Sequence, residues 1–503
     1  MSREERYVIG IDSSTQSVKA IVWAKDGTAV AEGRAPLDIL QPDAMRAEQN
    51  ADDWWRSAVT AIRQVTGAID PALIDGIAIS NQRETMALVD ADGKPLAPAT
   101  LWLDRRAAEI TKVMAAEIGD HEMHRISGKP VDCIPCVYRL RWYREYMPEL
   151  LDSAAGIVDV HGFLTRRLTG TSAATWTSAD PFGILDIHEK QWSRTILDHL
   201  KIPTTKLPRL LRPGERVGAV IEAAAAETGL KAGTPVFAGG GDGQCAGLGV
   251  GAIKPGVVYL NLGTAVVGGV WSPTAEISNA WRTLVSPTGD GYILESVQRA
   301  GAFFVNWFVD NFAGGRSEAT FRRLEEAGLK MPVGSEGVTV CSHLMGCLDP
   351  YWDIESTATF TGLGPQHTQA HLYRAGLEAI TLEFARALKL MRAAGLSLEQ
   401  ILVIGGGADS RLWLKIVADS TGLPVVRSLS NEASALGAGI SAAVGSGWFP
   451  SFDTAVGAMT RVAERIEPDL SAAPQWEALS RKQAAVYFAN RHLEEVAKHY
   501  QVG

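Results

Sequence analysis

The stretch PVFAGGGDGQCAGLGVGAIKPGVVYLNLGTAVV, residues 235–267, decides how the rest of the chain is interpreted. Its first apolar run, residues 236–238, leads into three glycines and then Asp242. Glycines have no side chains to shield this carboxylate, so we expect Asp242 at the end of a strand and open to a ligand. A second apolar run, residues 257–262, ends in Gly263 and Thr264, whose backbone N–H groups and hydroxyl suit a phosphate. The stretch therefore predicts a base beside a phosphoryl donor.

The composition is that of a globular protein with a small-molecule ligand. The chain has 503 residues, which is more than one hydrophobic core usually supports, so two domains are expected. Its hydrophobic content of 46% and charged content of 21% are ordinary. The formal charge of −9 argues against a nucleic acid as partner, because phosphate backbones are bound by excess Lys and Arg. A small phosphorylated ligand needs only a local site.

The N-terminal sequence MSREERYVIG has charges where a signal peptide requires an apolar core. No apolar run has the length that spans a bilayer, so we expect a cytoplasmic protein with no membrane partner. Five cysteines do not form a disulfide framework in so long a chain. Cys133 and Cys136 spell a CxxC, but no second pair accompanies them, and a structural role is the better interpretation.

The N-terminal region predicts strand, turn, strand, turn, strand. A β-rich run over residues 7–11 ends at Asp12, residues 13–16 are Ser-Ser-Thr-Gln, and further runs follow at residues 18–23 and around 29–32. A dinucleotide-binding Rossmann unit requires a helix after its first turn, so that interpretation fails. The turn offers hydroxyls, amides and one carboxylate, which suit phosphate and Mg²⁺. A purely structural Ser/Thr turn is an equally good interpretation at this point.

The same plan returns about half the chain further on. Residues 257–262, the turn at Gly263 and Thr264, and residues 266–271 repeat the order strand, small hydroxyl turn, strand. Such a repeat indicates a duplicated architecture. With one phosphate-binding turn from each half, a nucleotide is expected in the cleft between them.

Two polar clusters interrupt apolar sequence in the N-terminal half. Residues 77–80 and 86–89 read as a strand and its continuation, and residues 81–85, Asn-Gln-Arg-Glu-Thr, lie between them. Buried polar groups must be paired or face a polar ligand, although a surface loop is the alternative. In the second cluster, residues 102–106, we expect internal pairing between arginine and carboxylate.

A third glycine turn occurs near the C-terminus. The strand predicted at residues 401–404 runs into Gly405-Gly406-Gly407-Ala408-Asp409-Ser410 and then a helix. Glycines at this turn allow a flat ring or a phosphate to approach the backbone, and the start of the helix adds a partial positive charge. A single GGG is weak evidence, but two other glycine turns already indicate a nucleotide.

Together these residues resemble the FGGY family of carbohydrate kinases, over residues 7 to about 449. GIDSSTQSVKA (residues 10–20) resembles the first phosphate motif, GGGDGQ (239–244) the segment with the catalytic aspartate, NLGT (261–264) the second phosphate motif, and residues 405–439 the adenosine side. The resemblance implies an α/β fold of two actin-like (ribonuclease H-like) ATPase domains around a central cleft. We place them at residues 1–250, with the acceptor and phosphates, and 251–503, with the nucleotide.

The resemblance also implies roles for individual residues. Asp242 corresponds to the general base that takes a proton from the sugar hydroxyl, and Asp12 and Asp242 correspond to residues near Mg²⁺. Residues corresponding to those that contact ATP are Thr15, Gln16, Lys19, Gly263, Thr264, Gly405, Gly406 and Ser410. Residues corresponding to the acceptor site are Gln82, Arg83, Glu84, Asp242 and Gln244.

The acceptor is expected to be a small sugar or polyol. Residues 81–84 resemble the glycerol-kinase version of the acceptor site, whereas xylulose kinases usually have a Gln-Met-His-Gly type of sequence there. Ile134 and Val267, however, replace a Tyr and a Phe of the glycerol pocket, and residues 349–377 look more like the xylulokinase branch. We therefore favour a ketopentose such as xylulose, with glycerol or a tetritol as the alternative.

An interpretation from a different class stays open. The fold also serves ATPases in which ATP drives a conformational cycle without a small acceptor. The polar residues 81–84 and an exposed Asp242 favour an acceptor pocket. The sequence does not specify the oligomeric state, for which a homodimer is one candidate.

Overall fold

The computed structural model of the chain describes residues 5–430 and 432–499. The strands are, in chain order, β1 (Tyr7–Ser13), β2 (Ser17–Trp23), β3 (Ala29–Pro36), β4 (Glu48–Gln49), β5 (Ile74–Asn81), β6 (Met86–Val89), β7 (Ala99–Thr100), β8 (Gly156–Asp159), β9 (Ala173–Thr175), β10 (Leu185–Asp186), β11 (Gln191–Trp192), β12 (Arg209–Leu211), β13 (Arg216–Ala219), β14 (Pro235–Gly241), β15 (Gly256–Leu262), β16 (Val266–Ser272), β17 (Arg282–Val285), β18 (Tyr292–Gln298), β19 (Thr339–Cys341), β20 (Thr359–Thr361), β21 (Leu398–Ile404), β22 (Val425–Ser428) and β23 (Val462–Ile466). Residues 1–4, 431 and 500–503, which belong to the predicted domains, lie outside the described residues.

The helices surround these strands. They are α1 (Ala51–Thr66), α2 (Ala108–Ile118), α3 (Asp120–Ser127), α4 (Cys136–Tyr146), α5 (Pro148–Ser153), α6 (Val160–Thr169), α7 (Trp176–Ala179), α8 (Arg194–Leu200), α9 (Glu222–Thr228), α10 (Asp242–Val250), α11 (Ala302–Phe312), α12 (Glu318–Leu329), α13 (Gln369–Ala393), α14 (Arg411–Thr421), α15 (Ala433–Gly445), α16 (Phe452–Met459) and α17 (Ala473–His499). Within the part of the chain that is described, none of them combines the length and apolar character needed to cross a bilayer.

The N-terminal sheet has the strand order β13-β14-β5-β1-β2-β3. The first three strands of the chain form the predicted antiparallel meander, and β5 and β14 then add in parallel to β1. In this register Asp12 lies opposite Ser80, and Ser80 lies opposite Gly240. Because parallel strands end at the same edge, Asp12 and Asp242 come to one edge of the sheet.

The C-terminal sheet repeats this topology, with the order β17-β18-β16-β15-β21-β22-β23. Strands β15, β16 and β18 pair antiparallel in that order, with β17 added outside β18, and β21 and β22 extend the sheet in parallel on the other side of β15. An antiparallel strand closes the far side of both five-strand units, β13 in one half and β23 in the other. The predicted duplication and the two-part actin-like fold are confirmed.

Two glycine-rich helices, α10 and α15, pack against each other where the halves meet. A Cβ at Gly249 would lie 2.0 Å from the carbonyl oxygen of Ala433, and a Cβ at Gly437 would lie 2.0 Å from that of Cys245. Only glycine permits such close contact between helix backbones. The small residues of α15 therefore let it pack closely on α10.

The continuation predicted at residues 86–89 is wrong in its placement. β6 pairs with β7 and β8 in a separate four-stranded sheet, not with the sheet that contains β5. Glu84, between the two strands, has a φ of 46°, and this left-handed conformation redirects the chain. The same turn holds residues 83 and 84 at the edge where Asp12 and Asp242 lie.

Candidate active site

A cleft of about 670 Å³ lies between the halves. Its lining combines apolar side chains with a smaller number of polar and charged ones, as is usual for small-molecule sites. The N-terminal half contributes Thr15, Arg83, Glu84, Trp102, Arg105, Ile134 and Asp242, and the C-terminal half contributes Tyr259, Asn261, Val267, Arg282, Val297 and Arg299. Residues 344–346 and 354–357 also line the cleft.

Asp242 is the first residue of α10, directly after β14. Its side chain is 36% exposed and faces the cleft, while Oδ1 forms an ion pair with Arg83 Nε at 3.2 Å and accepts from the N–H of Gly243 at 2.8 Å. A Cβ at Gly241 or Gly243 would lie within 2.9 Å of an Arg83 side-chain atom, so both glycines make room for the guanidinium. Burial raises the pKa of Asp242, and the charge of Arg83 opposes this rise. A carboxylate with a raised pKa is better matched to proton abstraction near neutral pH.

A buried network of charged side chains holds Arg83 in place. Glu295, on β18, is fully buried and accepts from Arg83 at 3.0 Å, from Arg282 at 2.5 Å and from the hydroxyl of Tyr259 at 2.7 Å. Arg282 also binds Glu84 at 2.8 Å. Burial alone would raise the pKa of Glu295, but the two arginines more than offset it and lower the pKa to about 2. The network fixes Arg83 and Glu84 in the cleft through residues of the opposite half.

Asp12 is a buried carboxylate at the same edge. It accepts a hydrogen bond from Ser80 at 2.8 Å, and burial, followed by repulsion from Asp242, raises its pKa to about 7. Among the described residues, no group of three or more His, Cys, Asp or Glu is arranged as a metal site. Mg²⁺, however, is usually held by one or two carboxylates together with phosphates and waters. The two aspartates fit that donor set, and a cation between them would relieve their repulsion.

The first hydroxyl turn contributes Thr15 to the cleft. Its hydroxyl accepts from the indole of Trp102 at 3.0 Å. Gln16 is exposed, and its backbone carbonyl is bonded within the N-terminal half. Lys19, on β2, forms an ion pair at 2.5 Å with Glu432, just before α15. Of these three residues Thr15 lines the cleft, whereas Lys19 links the halves.

The second turn, at Gly263 and Thr264, connects β15 to β16. Its carbonyl groups face the start of α11, since Gly263 accepts from Ala302 at 2.8 Å and Thr264 from Gly301 at 2.9 Å. The side chain of Thr264 is exposed, and the next residue, Ala265, lines the cleft. The backbone of the turn is therefore anchored to the start of α11, while Thr264 is exposed and Ala265 lies at the cleft.

The third turn follows β21. Gly405 has a φ of 84°, and a Cβ there would lie 2.4 Å from Oδ1 of Asn261, whereas nothing lies within 4 Å of a Cβ at Gly406. Ser410 caps α14, because its hydroxyl accepts from an N–H of the first turn at 3.0 Å and donates to Glu325. Gly406 thus leaves open backbone, Gly405 allows close packing against Asn261, and the Ser410 hydroxyl is already engaged within the protein; none of the three lines the cleft.

Two of the predicted acceptor residues lie outside the cleft lining. Gln82 is 1% exposed and donates to Gln49 at 2.9 Å. Gln244, equally buried, donates to the carbonyl of Thr177 at 3.2 Å and accepts from Arg83 at 3.4 Å. Both side chains lie beneath the surface of the cleft, whereas Arg83, Glu84 and Asp242 line it.

The chain matches the family model for the N-terminal domain of the FGGY family of carbohydrate kinases over residues 7–249, and the model for its C-terminal domain over residues 258–446. The chain belongs to the FGGY family of carbohydrate kinases. As an FGGY kinase it transfers a phosphoryl group from ATP to a small carbohydrate.

Similar FGGY kinases match along almost the full length. The xylulose kinase of Bacillus subtilis (strain 168) is 28% identical and covers 99% of both chains. The autoinducer-2 kinase of Klebsiella pneumoniae is also 28% identical and covers 88% of this chain and 86% of that protein. The crystal structure of xylulose kinase from Rhodospirillum rubrum superimposes with a TM-score of 0.91 at 27% identity, over 97% of this chain and 99% of that one.

Three residues of the charge network in this FGGY kinase were not predicted from its sequence. Glu295, Arg282 and Tyr259 lie on three strands of the C-terminal half, about 200 residues from Arg83. One signal was available, since Glu295 stands in the middle of the apolar run YILESVQ. A charge on a buried strand must be paired, and its partners had to come from elsewhere in the chain.

Proposed function

We propose that this kinase phosphorylates a hydroxyl of a ketopentose such as xylulose, with glycerol or a tetritol as the alternative acceptor. The observation that carries the proposal is the partly exposed carboxylate of Asp242 in a cleft that Thr15 of the first hydroxyl turn and Ala265 beside the second also line. Ile134 and Val267 line the same cleft with modest apolar side chains, which leave room for a chain longer than glycerol. The names of the relatives, xylulose kinase among them, support a ketopentose as the first candidate.

In the proposed mechanism Asp242 accepts the proton of the attacking hydroxyl. Arg83 and Glu84 hold neighbouring hydroxyls, since a fixed guanidinium and carboxylate give directed donors and acceptors. Thr15, Gly263 and Thr264 contact the phosphates, and Gly405 and Gly406 lie along the nucleotide. Phosphoryl transfer depends mainly on such positioning and on charge neutralisation.

Mg²⁺ is proposed at Asp12 and Asp242, where it supplies charge neutralisation for the phosphates when bound. We also propose contacts with the nucleotide for Gln16, Lys19 and Ser410. On the acceptor side we propose supporting roles for Gln82 and Gln244, which lie behind the surface of the cleft. The domain boundary between residues 250 and 251, a homodimer and a cytoplasmic location are also predictions from the sequence.

The test is ATP turnover measured with a panel of ketopentoses, tetritols, glycerol and hexuloses. We expect turnover to depend on the acceptor and to be highest with a ketopentose. Highest activity with glycerol or a tetritol would favour the alternative acceptor. Turnover that is the same with and without every acceptor would contradict the kinase mechanism and favour an ATPase cycle.

A further inference from the structure

We propose that Arg105 and Arg299, one from each half, bind the phosphoryl group during its transfer. The inference rests on the proposed function of the cleft, because it assigns these guanidinium groups to the group that moves from ATP to the sugar. Both residues line the cleft that contains Asp242.

Each arginine lies beside one of the two hydroxyl turns. Arg105 is three residues after Trp102, whose indole donates to the hydroxyl of Thr15 at 3.0 Å. Arg299 directly follows the end of β18, where Gln298 pairs with Val266 next to the second turn. Two residues later the N–H of Gly301 donates to the carbonyl of Thr264 at 2.9 Å. The two arginines therefore approach the cleft from the sides of the two phosphate turns.

Both guanidinium groups have donors that the protein leaves unused. The Nε atoms of Arg105 and Arg299 are buried and have no hydrogen-bond partner in the described chain. No carboxylate among residues 5–430 and 432–499 forms an ion pair with Arg105, and Arg299 reaches Asp132 only at 3.4 Å. The adjacent Arg106, by contrast, is bound by Asp104 at 2.7 Å and by Glu48 at 2.5 Å.

An unused buried donor is costly unless a ligand satisfies it. Guanidinium groups bind the oxygens of phosphate through paired hydrogen bonds, and they keep their charge at every working pH. Two such groups at the edge of a cleft for ATP fit a phosphate oxyanion, and the γ-phosphoryl group is the one that ATP and the phosphorylated product share.

The sugar oxygen forms a bond to the γ-phosphorus, its proton passes to Asp242, and the bond to the bridging oxygen breaks with its electron pair leaving on ADP. Negative charge is spread over three equatorial oxygens of the transferred group in the transition state. Arg105 and Arg299 would bind these oxygens, and so would stabilise the transition state more than either bound substrate.

The test compares Arg105→Gln, Arg299→Gln and Arg299→Lys with Arg322→Gln, a surface control on α12. We expect each Gln variant to lose at least about 10²-fold in kcat, as is typical when one transition-state donor is removed, with KM values for sugar and ATP within about threefold. Arg299→Lys should recover part of the loss, and the control should match the unmodified protein.

A binding measurement separates this role from a structural one. The Gln variants should bind ADP normally, but bind ADP with aluminium fluoride and the sugar, a mimic of the transferred group, about 10²-fold more weakly. An unchanged kcat in both Gln variants would overturn the inference. A rise in the KM for the sugar alone would also overturn it, because it would indicate that the arginines bind the acceptor. An unmodified protein that phosphorylates no acceptor would instead contradict the proposed function itself.

Discussion

Replacing Glu295 by Gln tests the charge network that holds Arg83 in the cleft. The native environment lowers the pKa of Glu295 from 4.5 to about 2. Because a tenfold change in proton affinity corresponds to about 1.4 kcal/mol, the ionised carboxylate stabilises the fold by about 3 kcal/mol. Glu295→Gln removes that contribution and leaves Arg83 and Arg282 with less opposing charge. We expect the free energy of unfolding at pH 7 to fall by about 3 kcal/mol.

The pH dependence of this loss has a definite sign. A carboxyl with a lowered folded-state pKa stabilises the protein above its unfolded pKa, and the stabilisation is lost as the pH falls towards the folded value. The difference between the two proteins should therefore be constant from pH 8 to about 5.5 and shrink by more than half by about pH 3. Urea unfolding monitored by tryptophan fluorescence measures it.

The control for Glu295→Gln is Glu378→Gln. Glu378 is also a buried partner of an arginine, Arg374, but the pair lies within the C-terminal half and away from the cleft. We expect only Glu295→Gln to raise the sugar KM, by at least about tenfold, because Arg83 then shifts relative to Asp242. An unfolding free energy within 0.5 kcal/mol of the unmodified protein, or a difference that does not shrink at low pH, would refute the reasoning.

Three further predictions follow from single contacts. Because the pKa of Asp12 is raised, its ionisation destabilises the metal-free protein as the pH rises towards 7. Bound Mg²⁺ should therefore raise the Tm, measured by calorimetry, more at pH 8 than at pH 5. An equal rise in Tm for the Asp12→Asn variant would contradict the metal site. Ile134→Tyr narrows the cleft and should raise the ketopentose KM at least tenfold with the ATP KM unchanged in steady-state kinetics. Gly249→Ala places a Cβ 2.0 Å from a backbone oxygen and should cost about 3 kcal/mol or more in urea unfolding, whereas Gly457→Ala, with open space around it, should be neutral or stabilising.

Local sequence signals predicted most of the fold. The two strand-turn-strand units and the strand before Asp242 are short apolar runs bounded by turn residues, and such runs specify their own conformation. The start of α1 also has a local signal, because Asn50 caps the helix and Trp54 and Ile62, two turns apart, lie on its buried face. The pairing expected in residues 102–106 is confirmed by Arg106, which binds Asp104.

Contacts between distant segments were not predictable in the same way. The strand at residues 86–89 was predicted to continue β5, because an apolar run does not specify which sheet it joins. The left-handed turn at Glu84 directs it into a different sheet. Lys19 pairs with Glu432 across 413 positions, and Glu295 meets Arg83 across 212. Nothing in the flanking residues specifies such partners, since they depend on how the two halves pack.

The most direct test of the account is single-turnover phosphoryl transfer by Asp242→Asn with the preferred acceptor. Asn keeps the size of the side chain and removes its ability to take a proton. We expect the transfer rate to fall by about 10²- to 10⁴-fold, while the affinities for ATP and for the sugar, measured by calorimetry, stay within a few-fold. A transfer rate close to that of the unmodified protein would contradict the assignment of Asp242 as the base.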